Sequence, residues 1–218
     1  MKDDLNDIDL LRATVQTYDK IAGPYCKKTR LDKYLKWERA YIIRMLSLIG
    51  STNSLILDAG CGDGRHCRII EEEGARAVGI DLSSGMLKEA RLLHPCGDFR
   101  QMNMARLGFK DDHFDGIWSS GSIYHVTKSQ VPGVFTEFGR VLKPGGILSI
   151  SFKLGSGEGL EADPKSYGGS PRYFAYYSEP EMTDLLANSG FEVMETCLYP
   201  EEIFGADNIQ MWLRKQSS

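Results

Sequence analysis

A chain of 218 residues with ordinary hydrophobic and charged fractions has room for one domain with a substantial core, which excludes wholesale disorder. Its net charge of −4 is mild and leaves no electrostatic footprint for tight phosphate-backbone binding. No apolar run approaches bilayer length, and the acidic opening MKDDLNDIDLLR lacks the apolar core of a secretory signal, so a cytoplasmic protein is expected.

In chain order, Ile8 to Ile21 carries a mixed helical pattern that the breaker pair Gly23-Pro24 is expected to close. A second helix is predicted from Lys33 to Leu48, with a glycine stop at Gly50. Short apolar runs then alternate with helical segments: SLILDA, RHCRIIEEE, RAVGIDL, SGMLKEARLL, FRQMN, FDGIWSS, VPGVFTEFGRVL and GGILSISF. Such alternation predicts βαβ units and a parallel sheet wrapped by helices. From 153 to 177 the rhythm breaks into a stretch rich in Gly, Ser, Pro and Tyr, expected to be an active-site loop or a short hairpin. Glu179 to Ser189 then reads as a helix stopped by Gly190, and FEVMETCLY and NIQMWLRK read as two terminal strands. Residues 1–50 are thus expected to be a helical lid, and 51–218 a core domain with an insertion at about 153–177.

Five cysteines (Cys26, Cys61, Cys67, Cys96 and Cys197) form no CxxC pair, and Cys61, His66 and Cys67 lack the spacing of a zinc site. Reduced thiols and no metal are expected.

DAGCGDG, residues 58–64, sits directly after an apolar strand and before a helix. Glycines at 60, 62 and 64 permit a tight turn and close approach of backbone to a ligand. A second strand ends in Asp81 about twenty residues later, where a carboxylate can accept both hydroxyl protons of a ribose. A dinucleotide site usually reads GxGxxG with its helix facing a pyrophosphate. Here the spacing is GxGxG with acids at Asp58 and Asp63, which would repel a pyrophosphate and suit a ligand carrying an ammonium and a sulfonium.

Across residues 52–152 the chain resembles the class I, Rossmann-like methyltransferases that use S-adenosylmethionine. LDAGCGDG matches their first motif, GIDLS their second, FDGIW their fourth-strand motif and RVLKPGG the turn into the fifth strand. The resemblance implies a doubly wound, seven-stranded, mostly parallel α/β sheet of order 3-2-1-4-5-7-6 with the last strand antiparallel. It further implies that Asp58 and the backbone of Gly60, Cys61 and Gly62 hold the methionine portion. Asp81 would hold the ribose, with Leu82 and Met86 beside the adenine or ribose. The family often places an aspartate after its third strand to accept from the adenine amino group. This chain has Asn103 there, followed by Met104, with Asp98 as the alternative in another register.

By the same resemblance, SSGSIYHV should lie beside the transferring methyl. Ser119 and Ser120 would meet the cofactor through their backbone, and Tyr124 would meet the acceptor. His125, titratable near neutral pH, is the general-base candidate, with packing as its competing role. Tyr18 and Tyr25 lie seven residues apart, and related enzymes use such a segment as a lid with an aromatic ring near the sulfonium. SPRYFAYY would set Arg172 and Tyr173 in an acceptor pocket with one fixed positive charge, suited to a small aromatic or carboxylate-bearing molecule. The expected activity is methyl transfer to an O or N of a small molecule. A non-catalytic cofactor-binding subunit and a nicotinamide-dependent oxidoreductase are the alternatives. Nucleic-acid methylation is unsupported, with no basic tail, zinc knuckle or base-stacking motif, and monomer against homodimer is left open.

Overall fold

In a computed structural model, residues 6–162, 169–199 and 208–216 are described; part of the 153–177 stretch (163–168) and of the terminal loop lies outside them. Two helices, α1 (Asp7–Thr29) and α2 (Asp32–Ile49), precede the first strand. The alternating core follows: β1 (Leu55–Ala59), α3 (Arg65–Glu72), β2 (Arg76–Asp81), α4 (Ser84–Leu93), β3 (Asp98–Gln101), β4 (Phe114–Ser119), α5 (Val131–Val141) and β5 (Leu142–Leu154). A single 3-10 turn, Ile123–His125, stands between β4 and α5. A hairpin of β6 (Glu158–Glu161) and β7 (Arg172–Tyr177) comes next, and α6 (Glu179–Asn188), β8 (Phe191–Leu198) and β9 (Asn208–Lys215) complete the chain.

The sheet runs β3-β2-β1-β4-β5 in parallel, continues to β9 antiparallel, and ends with β8 paired antiparallel to β9. With the hairpin set aside, β8 and β9 are the sixth and seventh core strands, so the expected order and the one antiparallel strand are both found. Consecutive residues of β1 serve opposite faces, as strand geometry requires. Ile56 packs with Tyr41, Ile42, Ile69, Trp118 and Trp212, whereas Leu57 packs with Ile117, Val134, Phe135 and Phe138. Cores on both faces explain why the central strands read as continuous apolar runs.

Two local expectations change, and one that was left open is decided. Helix α1 does not stop at Gly23-Pro24 but runs to Thr29. A proline within a helix costs about 3 kcal/mol. Here Pro24 is exposed, and the buried Ala22 and Cys26 on either side of it pack against Met86 of α4, which offsets that cost. Strand β5 begins at Leu142, before the Pro-Gly-Gly turn, because Leu142 already pairs with Phe114; the extra residues of the turn on β5 then shift the register, and pairing resumes between Gly116 and Ile147. The irregular stretch contributes a hairpin, whose β7 pairs with Lys153 and Leu154, beyond the last paired residue of β4. The hairpin therefore stands over the carboxyl end of the sheet.

Candidate active site

A cavity of about 360 Å³ opens at the carboxyl ends of β1, β2, β4 and β5, under α1. Among the expected donor residues, Gly60, Cys61, Gly62, Asp81, Leu82, Met86, Asn103 and Met104 line it. Gly60 and Gly62 hold φ of +82° and +53°, the left-handed region that favours glycine. A Cβ on Gly60 would stand 2.4 Å from the Ser122 Cβ, so the turn tolerates no side chain there.

The amides of this turn are already committed. Gly60 and Cys61 donate to the Ile80 carbonyl at 2.8 and 2.9 Å. Gly62 donates to Asp81 Oδ2 at 2.9 Å, and Ser83 donates its amide to Asp81 Oδ1 at 2.8 Å. The turn is thus tied to the end of β2, and each Asp81 oxygen keeps a further lone pair for a ligand hydroxyl. Burial raises the Asp81 carboxyl, and the bonds from Ser83 and Gly62 oppose it.

Asp58 and Ser119 do not line the cavity. Asp58 lies behind the turn, fully buried, with Cys67 Sγ donating to its Oδ2 at 3.4 Å. Its Oδ1 has no partner among the described residues, and burial pushes the carboxyl up to about 6. Ser119 is sealed beneath the wall, where its hydroxyl bonds the Ala59 carbonyl at 3.2 Å; Ser120 and Ser122 line the cavity instead. Asn103 does line it, but its Oδ1 accepts from the Ala105 amide at 2.9 Å in an Asx turn. Asp98 is exposed and paired with Arg100, which excludes the alternative register.

The acids thought to repel a pyrophosphate also act differently. Asp63, with no exposed side-chain area, is 2.6 Å from Arg30 of the α1 C-terminus and 3.3 Å from Arg65. Arg65 in turn bonds the buried Glu38 of α2 at 2.9 and 3.1 Å, which holds the Glu38 carboxyl far below its usual range despite burial. These pairs pin α1 and α2 to the glycine turn. A second tie is Asp19 of α1, whose Oδ1 accepts from the Ser83 hydroxyl at 2.6 Å and the Gly85 amide at 2.8 Å. The close approach of the helices depends on Gly85, where a Cβ would lie 2.8 Å from the Asp19 backbone.

At the other end, Tyr18, Tyr25, Tyr124 and His125 line the cavity. Because α1 is continuous, Tyr18 and Tyr25 share a face and meet edge-on with centroids 5.4 Å apart. His125 Nδ1 lies 2.6 Å from the Tyr173 carbonyl, which can only accept, so Nδ1 carries the proton. Nε2 is then a lone-pair acceptor, and the Tyr18 hydroxyl donates to it at 2.8 Å. Burial, reinforced by Arg172 and Lys153, pushes the imidazole down to about 3, so His125 is neutral near pH 7. Burial raises the Tyr18 hydroxyl well above its usual range.

Arg172 and Tyr173 are not in the cavity wall. The Tyr173 ring is buried in the core, its hydroxyl bonded to Glu158, and the residue acts on the site through its carbonyl. Arg172 stacks behind Tyr18, its guanidinium 5.7 Å from the ring centroid and 3.4 Å from the hydroxyl. The cation in the wall at this end is Lys153, which the sequence pattern did not single out, along with Glu38, Arg65 and Tyr199. Period-2 alternation along β5 was the available signal: Ser149, Ser151 and Lys153 share the face opposite Phe152.

No described helix is long and apolar enough to cross a membrane. The chain matches the family model described as a methyltransferase domain over residues 57–150. It is 31% identical over 140 residues to the demethylmenaquinone methyltransferase of Tropheryma whipplei, covering 61% of this chain and 56% of that one. It is 27% identical over 141 residues to the malonyl-[acyl-carrier protein] O-methyltransferase of Pectobacterium atrosepticum, covering 64% and 53%. The chain thus spans about half the length of these curated relatives. In fold it is similar to the 1,6-didemethyltoxoflavin-N1-methyltransferase of Burkholderia thailandensis, solved with S-adenosylhomocysteine, at a TM-score of 0.77, 20% identity and coverage of 98% and 92%. The Cβ-free turn and the two-oxygen acceptor at Asp81 fit a ligand with an adenosine ribose, and residues 57–150 carry a methyltransferase domain within a class I, Rossmann-like fold.

Proposed function

We propose that this protein transfers a methyl group from S-adenosylmethionine to an oxygen or nitrogen of a small acceptor. The observation that carries this reading is the Tyr18–His125 pair, joined at 2.8 Å in the wall of the cavity that also holds Asp81 and the glycine turn. Adenosylmethionine supplies an electrophilic methyl on a sulfonium, so in-line alignment provides much of the acceleration. In the chain, Asp81 would hold the ribose, and Met86, Asn103 and Met104 would flank the adenosine. Helix α1 closes the cavity as a lid.

The proton on the acceptor atom has a defined route. As the new bond to carbon forms, the acceptor becomes strongly acidic and gives its proton to the Tyr18 oxygen. Tyr18 passes its own proton to His125 Nε2, and the Tyr173 carbonyl steadies the imidazolium through Nδ1–H. A base held near 3 does not ionise a resting hydroxyl, yet it suffices for a group that methylation has made cationic. The free thiols accord with a reducing, cytoplasmic setting.

The names of the relatives point to different acceptors, malonyl-[acyl-carrier protein], demethylmenaquinone and 1,6-didemethyltoxoflavin, and so select none. Incubation with isotopically labelled adenosylmethionine and a cell extract, followed by mass spectrometry, tests the reading. Labelled small molecules that vanish in His125→Ala, with S-adenosylhomocysteine affinity retained, are the expected result. Cofactor binding without any methyl transfer would instead make the chain a non-catalytic subunit.

A further inference from the structure

We infer that Thr14 and Thr17 of α1 are positioning residues: by holding the edge of β7 they set the Tyr173 carbonyl, which fixes the His125 tautomer. The helix that carries Tyr18 thus also prepares the nitrogen that receives its proton. This rests on the methyltransferase reading and deepens it.

Consecutive residues of a strand turn their backbone groups to opposite edges. In β7 the even-numbered residues face the hairpin side, where the Tyr176 amide donates to the Gly157 carbonyl at 3.0 Å. Pro171 and Tyr173 therefore face the other edge, and β5 pairs with β7 only at Tyr176 and Tyr177. Side chains take the place of a strand there. The Tyr173 amide donates to Thr14 Oγ1 at 2.9 Å, and the Thr17 hydroxyl donates to the Pro171 carbonyl at 2.6 Å. The Tyr173 carbonyl accepts from His125 Nδ1 at 2.6 Å. Proline has no amide proton, so these bonds satisfy every backbone group that residues 171 and 173 present to this edge.

Both threonines are buried, and Thr14 lies one helical turn before Tyr18, on the same face. The Thr14 proton is spent on the Leu10 carbonyl at 3.1 Å, which turns its oxygen into the acceptor that the Tyr173 amide needs. One threonine accepts and the other donates, so β7 cannot slide along α1 without leaving a buried polar group unpaired. The consequence reaches the proton route. A carbonyl can only accept, so contact with Tyr173 keeps the proton on Nδ1 and the lone pair on Nε2, 2.8 Å from the Tyr18 oxygen. In the other tautomer Nε2–H would face the Tyr18 hydroxyl as a donor, and the route would close. A valine at position 14 keeps the shape of threonine and offers no acceptor. The buried Tyr173 amide would then have to move to find a partner, taking its carbonyl with it.

The test uses the intact protein, saturated with S-adenosylhomocysteine and labelled with ¹⁵N-histidine, whose imidazole nitrogens report the tautomer by NMR. The His125 signals are assigned by their loss in His125→Ala. Wild type should show the Nδ1–H form alone. Thr14→Val should bring in the Nε2–H form and slow labelled methyl transfer into cell extract by about 5- to 10-fold, the worth of one hydrogen bond. Thr17→Val should act in the same direction, and Thr14→Ser should restore both readouts to within about twofold of wild type. S-adenosylhomocysteine affinity within about threefold of wild type shows that α1 stays docked. Should Thr14→Val lose that affinity, Thr17→Val decides by the same two readouts. A tautomer that ignores the substitutions overturns the proposal, whether or not transfer slows, and so does a serine that fails to restore it. The NMR readout needs no turnover, which separates the two readings. If the tautomer shifts as stated and no methyl is transferred even by wild type, the methyltransferase reading falls and the link from α1 to His125 stands. If transfer proceeds while the tautomer ignores Thr14 and Thr17, only the positioning role falls.

Discussion

The two ends of the cavity are built in opposite ways. The donor end comes from one βαβ unit, where the turn after β1 is tied by its own amides to Ile80 and Asp81 at the end of β2. The acceptor end is assembled from distant pieces: Tyr18 meets His125 across 107 residues and Arg172 across 154. Local spacing can encode the first arrangement. The second exists only once α1, the turn after β4, and the hairpin have docked on the sheet. Substitutions at the donor end should therefore change cofactor affinity, and those at the acceptor end should change turnover.

Asp81→Ala puts the strongest load on this contrast. It removes the proposed ribose acceptor and leaves the Gly62 and Ser83 amides unpaired, so S-adenosylhomocysteine affinity should fall by roughly 100-fold or more in calorimetry. A change below fivefold would detach Asp81 from the donor end. Next comes Tyr18→Phe, which keeps the ring and removes the proton route. Methyl transfer should slow by about 10- to 100-fold while S-adenosylhomocysteine affinity moves by less than about threefold. Equal losses of both would mean that the two ends are not separable.

Asp58→Asn sharpens the donor side through stability. The folded carboxyl titrates near 6, above its ordinary 3.8, so the native state holds its proton more tightly than the unfolded chain. Stability is thus fully present below 3.8 and is lost as pH rises through 6. The amide abolishes that loss, so Asp58→Asn should stabilise the cofactor-free protein by about 2–3 kcal/mol at pH 7.5. At pH 4 the two proteins should melt alike. Thermal midpoints across this range decide it, and destabilisation at pH 7.5 would contradict the buried, unpartnered Oδ1. Pro24→Ala has the smallest effect on the site: it keeps the Ala22 and Cys26 packing and removes the helix-interior proline, so it should add up to about 3 kcal/mol in urea unfolding.

The alternation of strands and helices, the glycine turn and the acid at the end of the second strand were legible because period and spacing report them directly, whereas the strand order came from the resemblance to a known family. Spacing could not distinguish a residue in the cavity wall from one just behind it. Asp58 and Ser119 belong to the right strands and yet sit beneath the surface that faces the ligand. Tyr173 was placed by its side chain, whereas its carbonyl is what the site uses. Gly23-Pro24 reads as a break in any local scheme, and only packing against Met86, more than sixty residues away, carries the helix across it. Lys153 went unnoticed because a lysine near a strand end normally signals solvent, and here the hairpin folds back to bring Phe174 against it.

Ser83 gives the lid a thermodynamic meaning. Its amide orients the Asp81 carboxylate, and its hydroxyl binds Asp19 on α1. Under the proposed function, one residue thus answers to both the donor's ribose, through Asp81, and the docked helix. Linkage makes that coupling symmetric: whatever factor α1 docking adds to cofactor affinity, the bound cofactor returns to α1 docking. In such an arrangement the donor is itself a ligand for the closed state, and an enclosed acceptor chamber, with Tyr18 against His125, is favoured when a methyl group is present to transfer.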